Sequence, residues 1–124
     1  MTTTQKNLNN TFKGETMEVG LYLAMSKQAE REGHPDIAVY LRQIAMDEAW
    51  HAVEVAEALG MVGDTKANLE MMLKGETMAE QEKARDGETA VSDGHEAAAS
   101  FFSRASKDEG RHKAGLAFYL KRFE

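Results

Sequence analysis

Six side chains could act together as metal ligands: Glu15, Glu48 and His51 in the first half of the chain, and Glu76, Glu109 and His112 in the second. Carboxylates and imidazoles suit iron, manganese, zinc or cobalt. In each half, a Glu is followed 33 residues later by a Glu-x-x-His. On a helix, that i, i+3 spacing puts both donors of Glu48-x-x-His51 on one face, and likewise both of Glu109-x-x-His112. A single Glu-x-x-His is common and reads as a surface ion pair. Two of them, each set behind a Gly-Glu-Thr-Met, point to two divalent ions bridged by carboxylates, with one His completing each coordination shell. One Glu from each of two helices, plus a Glu-x-x-His from each of two others, is the ligand set of di-iron and di-manganese bundles.

The elements that must hold these ligands are helical. Strong helix formers dominate, there is one proline (Pro35), and no segment alternates in the manner of a strand. Apolar residues recur at threes and fours, and the candidate ligands interrupt the stripes. Ile37, Leu41, Ile44, Val55 and Leu59 flank Glu48 and His51. Ala98, Phe102, Ala105, Leu116 and Tyr119 or Leu120 flank Glu109 and His112. Leu8, Phe12, Val19 and Tyr22 enclose Glu15, while Leu69 and Leu73 lead to Glu76. Four carboxylates aimed at one core are unfavourable without cations.

The chain is also a repeat. Lys13-Gly14-Glu15-Thr16-Met17 returns 61 residues later as Lys74-Gly75-Glu76-Thr77-Met78. The same offset carries Gly33-His34 onto Gly94-His95, Asp47-Glu48 onto Asp108-Glu109, and His51 onto His112. Two copies of one helix-turn-helix unit follow, over about 7–60 and 64–122, within a single domain of residues 1–124. The helices are expected near Asn7–Arg31, Asp36–Leu59, 64–92 and His95–Arg122, with breaks at Gly33, Gly60 and Gly94. This is an all-α, four-helix bundle.

Composition narrows the function. A formal charge of −6 argues against a nucleic-acid partner. The chain has no cysteine, which excludes disulfides, thiolate zinc sites, iron–sulfur clusters and a rubredoxin-type iron centre from these residues. No apolar run suits a membrane span or a signal peptide, so a cytoplasmic protein without a membrane partner is expected. His34 and His95 sit at equivalent turns and read as structural; Trp50 and the eight Met read as packing.

Gly-Glu-Thr followed by Glu-x-x-His, twice over from about Asn7 to Arg122, resembles the rubrerythrins among ferritin-like proteins, in a form without a rubredoxin domain. The resemblance implies that Glu15, Glu48, His51, Glu76, Glu109 and His112 hold two iron ions, with manganese, zinc or a mixed pair as alternatives. Rubrerythrins commonly carry a further Glu three residues after their second Gly-Glu, and Ala79 stands there in this chain. The first repeat has Glu18 at the matching place, either a ligand reaching the cluster from the mirror-related side or an exposed helical Glu. Glu80 is a weaker candidate, about 100° around the helix from Ala79. Tyr22 matches a tyrosine that hydrogen-bonds a ligand carboxylate in the family; core packing is the alternative.

By the same resemblance, the protein is an oxidoreductase of the oxidative-stress type. It reduces hydrogen peroxide with electrons from a separate donor such as a rubredoxin-like protein. An oxygen-dependent ferroxidase and a non-catalytic metal-binding protein are the alternatives. In the ferritin-like fold the second and third helices run parallel, so their connection must travel the length of the bundle. The residues between Gly60 and Thr65 reach only about 20–22 Å when fully extended. Two solutions fit: a homodimer in which helix pairs are exchanged between chains, which is the favoured expectation, or unwinding of the helix ends beside the connector.

Overall fold

Local chemistry at the helix ends sets the element boundaries. The computed structural model describes all 124 residues and contains four α-helices and no strand. Helix α1 spans Thr3–Arg31, α2 Pro35–Ala58, α3 Thr65–Ser92 and α4 Glu96–Leu120, followed by a 3₁₀ turn over Lys121–Phe123. The first helix starts four residues before the apolar pattern suggests, because Thr2 and Gln5 cap each other reciprocally. The Gln5 amide donates to the Thr2 hydroxyl at 3.1 Å, and the Thr2 amide donates to the Gln5 side chain at 2.8 Å. Pro35 opens α2, where its missing N–H has no intrahelical partner to lose. The Asp64 carboxylate caps α3 by accepting from the Ala67 amide at 2.8 Å.

The breaks at Gly33, Gly60 and Gly94 are one motif used three times. Each glycine has positive φ (82°, 68° and 72°), and the residue after it donates back five positions into the helix. These bonds are His34 to Ala29, Met61 to Ala56, and His95 to Ala90. A β-carbon at any of the three would strain the left-handed backbone.

Each repeat folds as its own compact unit, Met1–Val62 and Gly63–Glu124, a hairpin of α1 on α2 and a hairpin of α3 on α4. No helix is long and apolar enough to cross a membrane. In the first hairpin small residues line the seam: Ala38, Ala45 and Ala52 on α2 face Ser26 and Ala29 on α1, all buried. The Ser26 hydroxyl donates to the Ala38 carbonyl at 2.7 Å and accepts from Arg42 at 3.0 Å. Arg42 in turn pairs with Glu30 at 2.6 Å. The seam of the second hairpin is more polar. Ser106 donates to the Glu80 carbonyl at 2.9 Å, and Lys113 pairs with the Glu80 carboxylate at 2.8 Å. Gly110 makes room for that pair, since a β-carbon there would collide with the Glu80 carboxylate.

The stripes expected from sequence are displaced in places. Ile37 is 48 % exposed and Tyr119 52 % exposed, while Ala38 and Leu120 take the inward positions. Trp50, expected to pack, is 63 % exposed. Met17, Leu21, Met25 and Val53 of the first hairpin are also exposed, as are Met72, Met78, Phe101 and Phe118 of the second. A two-helix layer with this much apolar surface needs a second layer to cover it.

The Ser26 contact sets how closely α1 and α2 approach. Ser26→Leu should destabilise the protein by about 1–3 kcal/mol through overpacking. Ser26→Ala should cost about 1 kcal/mol by removing both hydrogen bonds of that hydroxyl, to Ala38 and from Arg42. Denaturant unfolding of both variants against the parent checks this order.

Candidate metal centre

Glu15 lies near the middle of α1, and Glu48 and His51 lie one helical turn apart on α2. The hairpin brings their ligand atoms within 4.8 Å of one another. The His51 Nδ1 stands 3.4 Å from Glu15 Oε2 and 3.8 Å from Glu48 Oε1. The second hairpin repeats the arrangement with α3 and α4. His112 Nδ1 lies 3.5 Å from Glu76 Oε2 and 3.5 Å from Glu109 Oε1. The six residues singled out from sequence therefore form two matching triads.

Their exposure is uneven in an informative way. The Glu15, Glu48, Glu76 and Glu109 side chains are only 16–18 % exposed, whereas His51 and His112 are 56 % and 51 % exposed. The Oε2 atoms of Glu15 and Glu76 are buried and accept no hydrogen bond. A desolvated carboxylate oxygen without a donor is costly. Each orphaned oxygen points at an imidazole nitrogen and a second carboxylate. Carboxylate oxygens and an imidazole nitrogen thus converge on one point in each hairpin. The donor set suits a divalent transition metal, so the residues present fit such an ion.

The triads match in geometry but differ in their surroundings. In the first hairpin Glu18 lies beside Glu48. Hydrogen bonding with Glu48, partial desolvation and the Glu48 charge push the Glu18 carboxyl above its ordinary 4.5. Glu18 thus adds a third carboxylate at this triad, although it stands outside the close cluster of three. Ala79 occupies the matching place in the second hairpin. There Lys83, on the inner side of α3, bonds to Glu109 Oε2 at 3.0 Å. That bond, aided by the lysine charge, holds the Glu109 carboxyl below its ordinary 4.5.

Tyr22 is half-buried on the inner side of α1, and no hydrogen bond ties its hydroxyl to a carboxylate of its own hairpin. Glu80 is engaged by Lys113 rather than by the triad. His95 accepts from the Ala98 amide at 3.1 Å as the cap of α4, the structural role expected of it, and His34 holds the equivalent place before α2. Lys83 is the functional neighbour that sequence reasoning missed. Its signal was present: the 61-residue offset puts Lys83 opposite Tyr22, a charged residue on an inward stripe.

Comparison with known proteins agrees with this geometry. The family model described as rubrerythrin matches residues 6–119. An uncharacterised protein of Methanocaldococcus jannaschii is 47 % identical over 120 residues, covering 96 % of this chain and 85 % of that protein. Reverse rubrerythrin-1 of Clostridium acetobutylicum is 39 % identical over 120 residues, covering 95 % of this chain. The chain spans 66 % of that relative's length.

The two shifted carboxyls have opposite consequences for the metal-free protein. A raised carboxyl pKa in the fold means that ionised Glu18 opposes folding at neutral pH, and the penalty disappears as pH falls through the raised value. A lowered one means that ionised Glu109 supports folding above its ordinary value, with that support lost as pH falls below 4.5. Glu18→Gln should therefore raise the melting temperature of metal-free protein at pH 7, and Glu109→Gln should lower it. Both differences should shrink in thermal scans repeated at progressively lower pH.

Proposed function

The chain belongs to the rubrerythrin family of di-iron proteins, and from that premise we propose that it reduces hydrogen peroxide to water. The observation that carries the proposal is the repeated Glu, Glu-x-x-His triad, with a buried, donor-less oxygen on Glu15 in one copy and on Glu76 in the other. When bound, a pair of ferrous ions supplies the two electrons that, with two protons, convert one peroxide to two waters.

The chain's own residues then have distinct tasks. His51 and His112 serve as terminal ligands, reached from the solvent-exposed edge of each hairpin. Glu48 and Glu109 would be the carboxylates shared between the two ions, and Glu15 and Glu76 would each hold one. Glu18 is positioned to join as a ligand that responds to the oxidation state, because its carboxyl already neighbours Glu48. The chain has no cysteine, so a Cys-ligated iron that could relay electrons is not among its residues. We propose that electrons reach the site from a rubredoxin-like centre outside these residues.

A complete site needs both triads, and a homodimer that exchanges hairpins supplies them. Helices of 24 and 28 residues are about 36 and 42 Å long. The six residues from Leu59 to Asp64 between them span at most about 22 Å. Gly60, at φ 68°, turns the chain instead of extending it. The apolar residues exposed on each hairpin are a surface that such an assembly would cover.

Two measurements test this reading. Anaerobically reduced, iron-loaded protein should be oxidised by stoichiometric peroxide at least about tenfold faster than by equimolar oxygen in stopped flow. A preference for oxygen would instead assign a ferroxidase. Light scattering at micromolar concentration should give twice the 13.7 kDa chain mass. A monomer would overturn the exchanged dimer.

A further inference from the structure

The two triads hold different charge, and the difference comes from one residue. At the first, Glu15, Glu48 and Glu18 gather with no Lys or Arg paired to any of them. At the second, Glu76 and Glu109 have Lys83, whose ammonium is 3.0 Å from Glu109 Oε2. Both partners are well shielded, with Lys83 29 % and Glu109 17 % exposed, so water screens the pair only partly. The repeat makes the contrast specific. Tyr22 and Glu18 in the first hairpin correspond to Lys83 and Ala79 in the second, so one copy gains a cation where it lacks a carboxylate.

We propose that Lys83 is a built-in cation that occupies Glu109 in the metal-free protein and makes metal loading ordered. The inference rests on the metal-centre reading above. The first divalent ion is taken at Glu15, Glu48 and His51, with Glu18 beside them, where negative charge is uncompensated. The second, beside His112, binds only when Lys83 releases Glu109. Lys83 acts through Glu109 and is a positioning residue; its charge sets the gap between the two affinities. Lys113, one turn beyond Glu109 on the same helix, takes no part because its partner is Glu80.

Cobalt(II) titration of metal-free protein, followed by visible absorption and calorimetry, tests the ordering. The parent should show a tighter and a weaker class of site. His51→Ala should abolish the tighter class and His112→Ala the weaker. Lys83→Met should strengthen the weaker class about three- to tenfold, the range expected from losing a partly shielded charge pair. Lys83→Tyr, which installs the first repeat's residue, should do the same, while Lys83→Arg and Lys113→Met should bind as the parent does. Tyr22→Lys, the reverse exchange, should weaken the tighter class. Circular dichroism at each titration start confirms that every variant is folded. Equal affinities in the parent would overturn the proposal, as would a weaker class that Lys83→Met and Lys83→Tyr leave unchanged. A parent that binds two cobalt ions with Lys83-independent affinity would sink this inference alone. A parent that binds none would remove the metal-centre reading and this proposal with it.

Discussion

The structure depends on one electrostatic constraint: carboxylates are held inside helical hairpins where too few donors reach them. Glu15 and Glu76 each bury an oxygen that accepts nothing, facing an imidazole nitrogen 3.4–3.5 Å away. Burial of that kind is unfavourable in a protein that keeps its cores apolar, and it occurs twice at equivalent places. Much of the rest follows from satisfying it. The small-residue seam of Ala38, Ala45 and Ala52 lets α1 approach α2 closely enough for Glu15 to meet Glu48 and His51. The glycine-terminated helix ends fix where each hairpin reverses.

The two hairpins solve the same problem unequally. The first concentrates negative charge, and Glu18 holds its proton more tightly beside Glu48. The second supplies its own cation, Lys83, and a separate half-buried pair, Glu80 with Lys113 over Gly110. A duplicated unit has kept its ligands while the residues around them diverged. That pattern gives two metal positions with one ligand set and two electrostatic environments.

Much of this was legible in the sequence. The 61-residue repeat located both triads, because ligand geometry depends on helical spacing that a sequence displays directly. The breaks at Gly33, Gly60 and Gly94 were legible for the same reason, since positive φ leaves few residue choices. Other features were hidden. The start of α1 depended on a side-chain cap at Thr2 and Gln5, beyond the reach of the apolar pattern. Ile37 and Trp50 are apolar but exposed, because the seam of a hairpin is narrower than the hydrophobic stripe that feeds it. Lys83 was hidden because a lysine on an inward stripe reads as a solvated residue until its partner, 26 residues away, is placed beside it.

The function of this chain turns on whether the two triads hold two metal ions. Metal content and the optical spectrum after anaerobic reconstitution with ferrous iron, followed by removal of excess metal, test it most directly. The protein should retain two iron ions per chain, with near-ultraviolet absorption appearing on oxidation, and about one iron or fewer when either His51 or His112 is replaced by alanine. Protein that retains no iron, or that retains the same amount without both histidines, would contradict it.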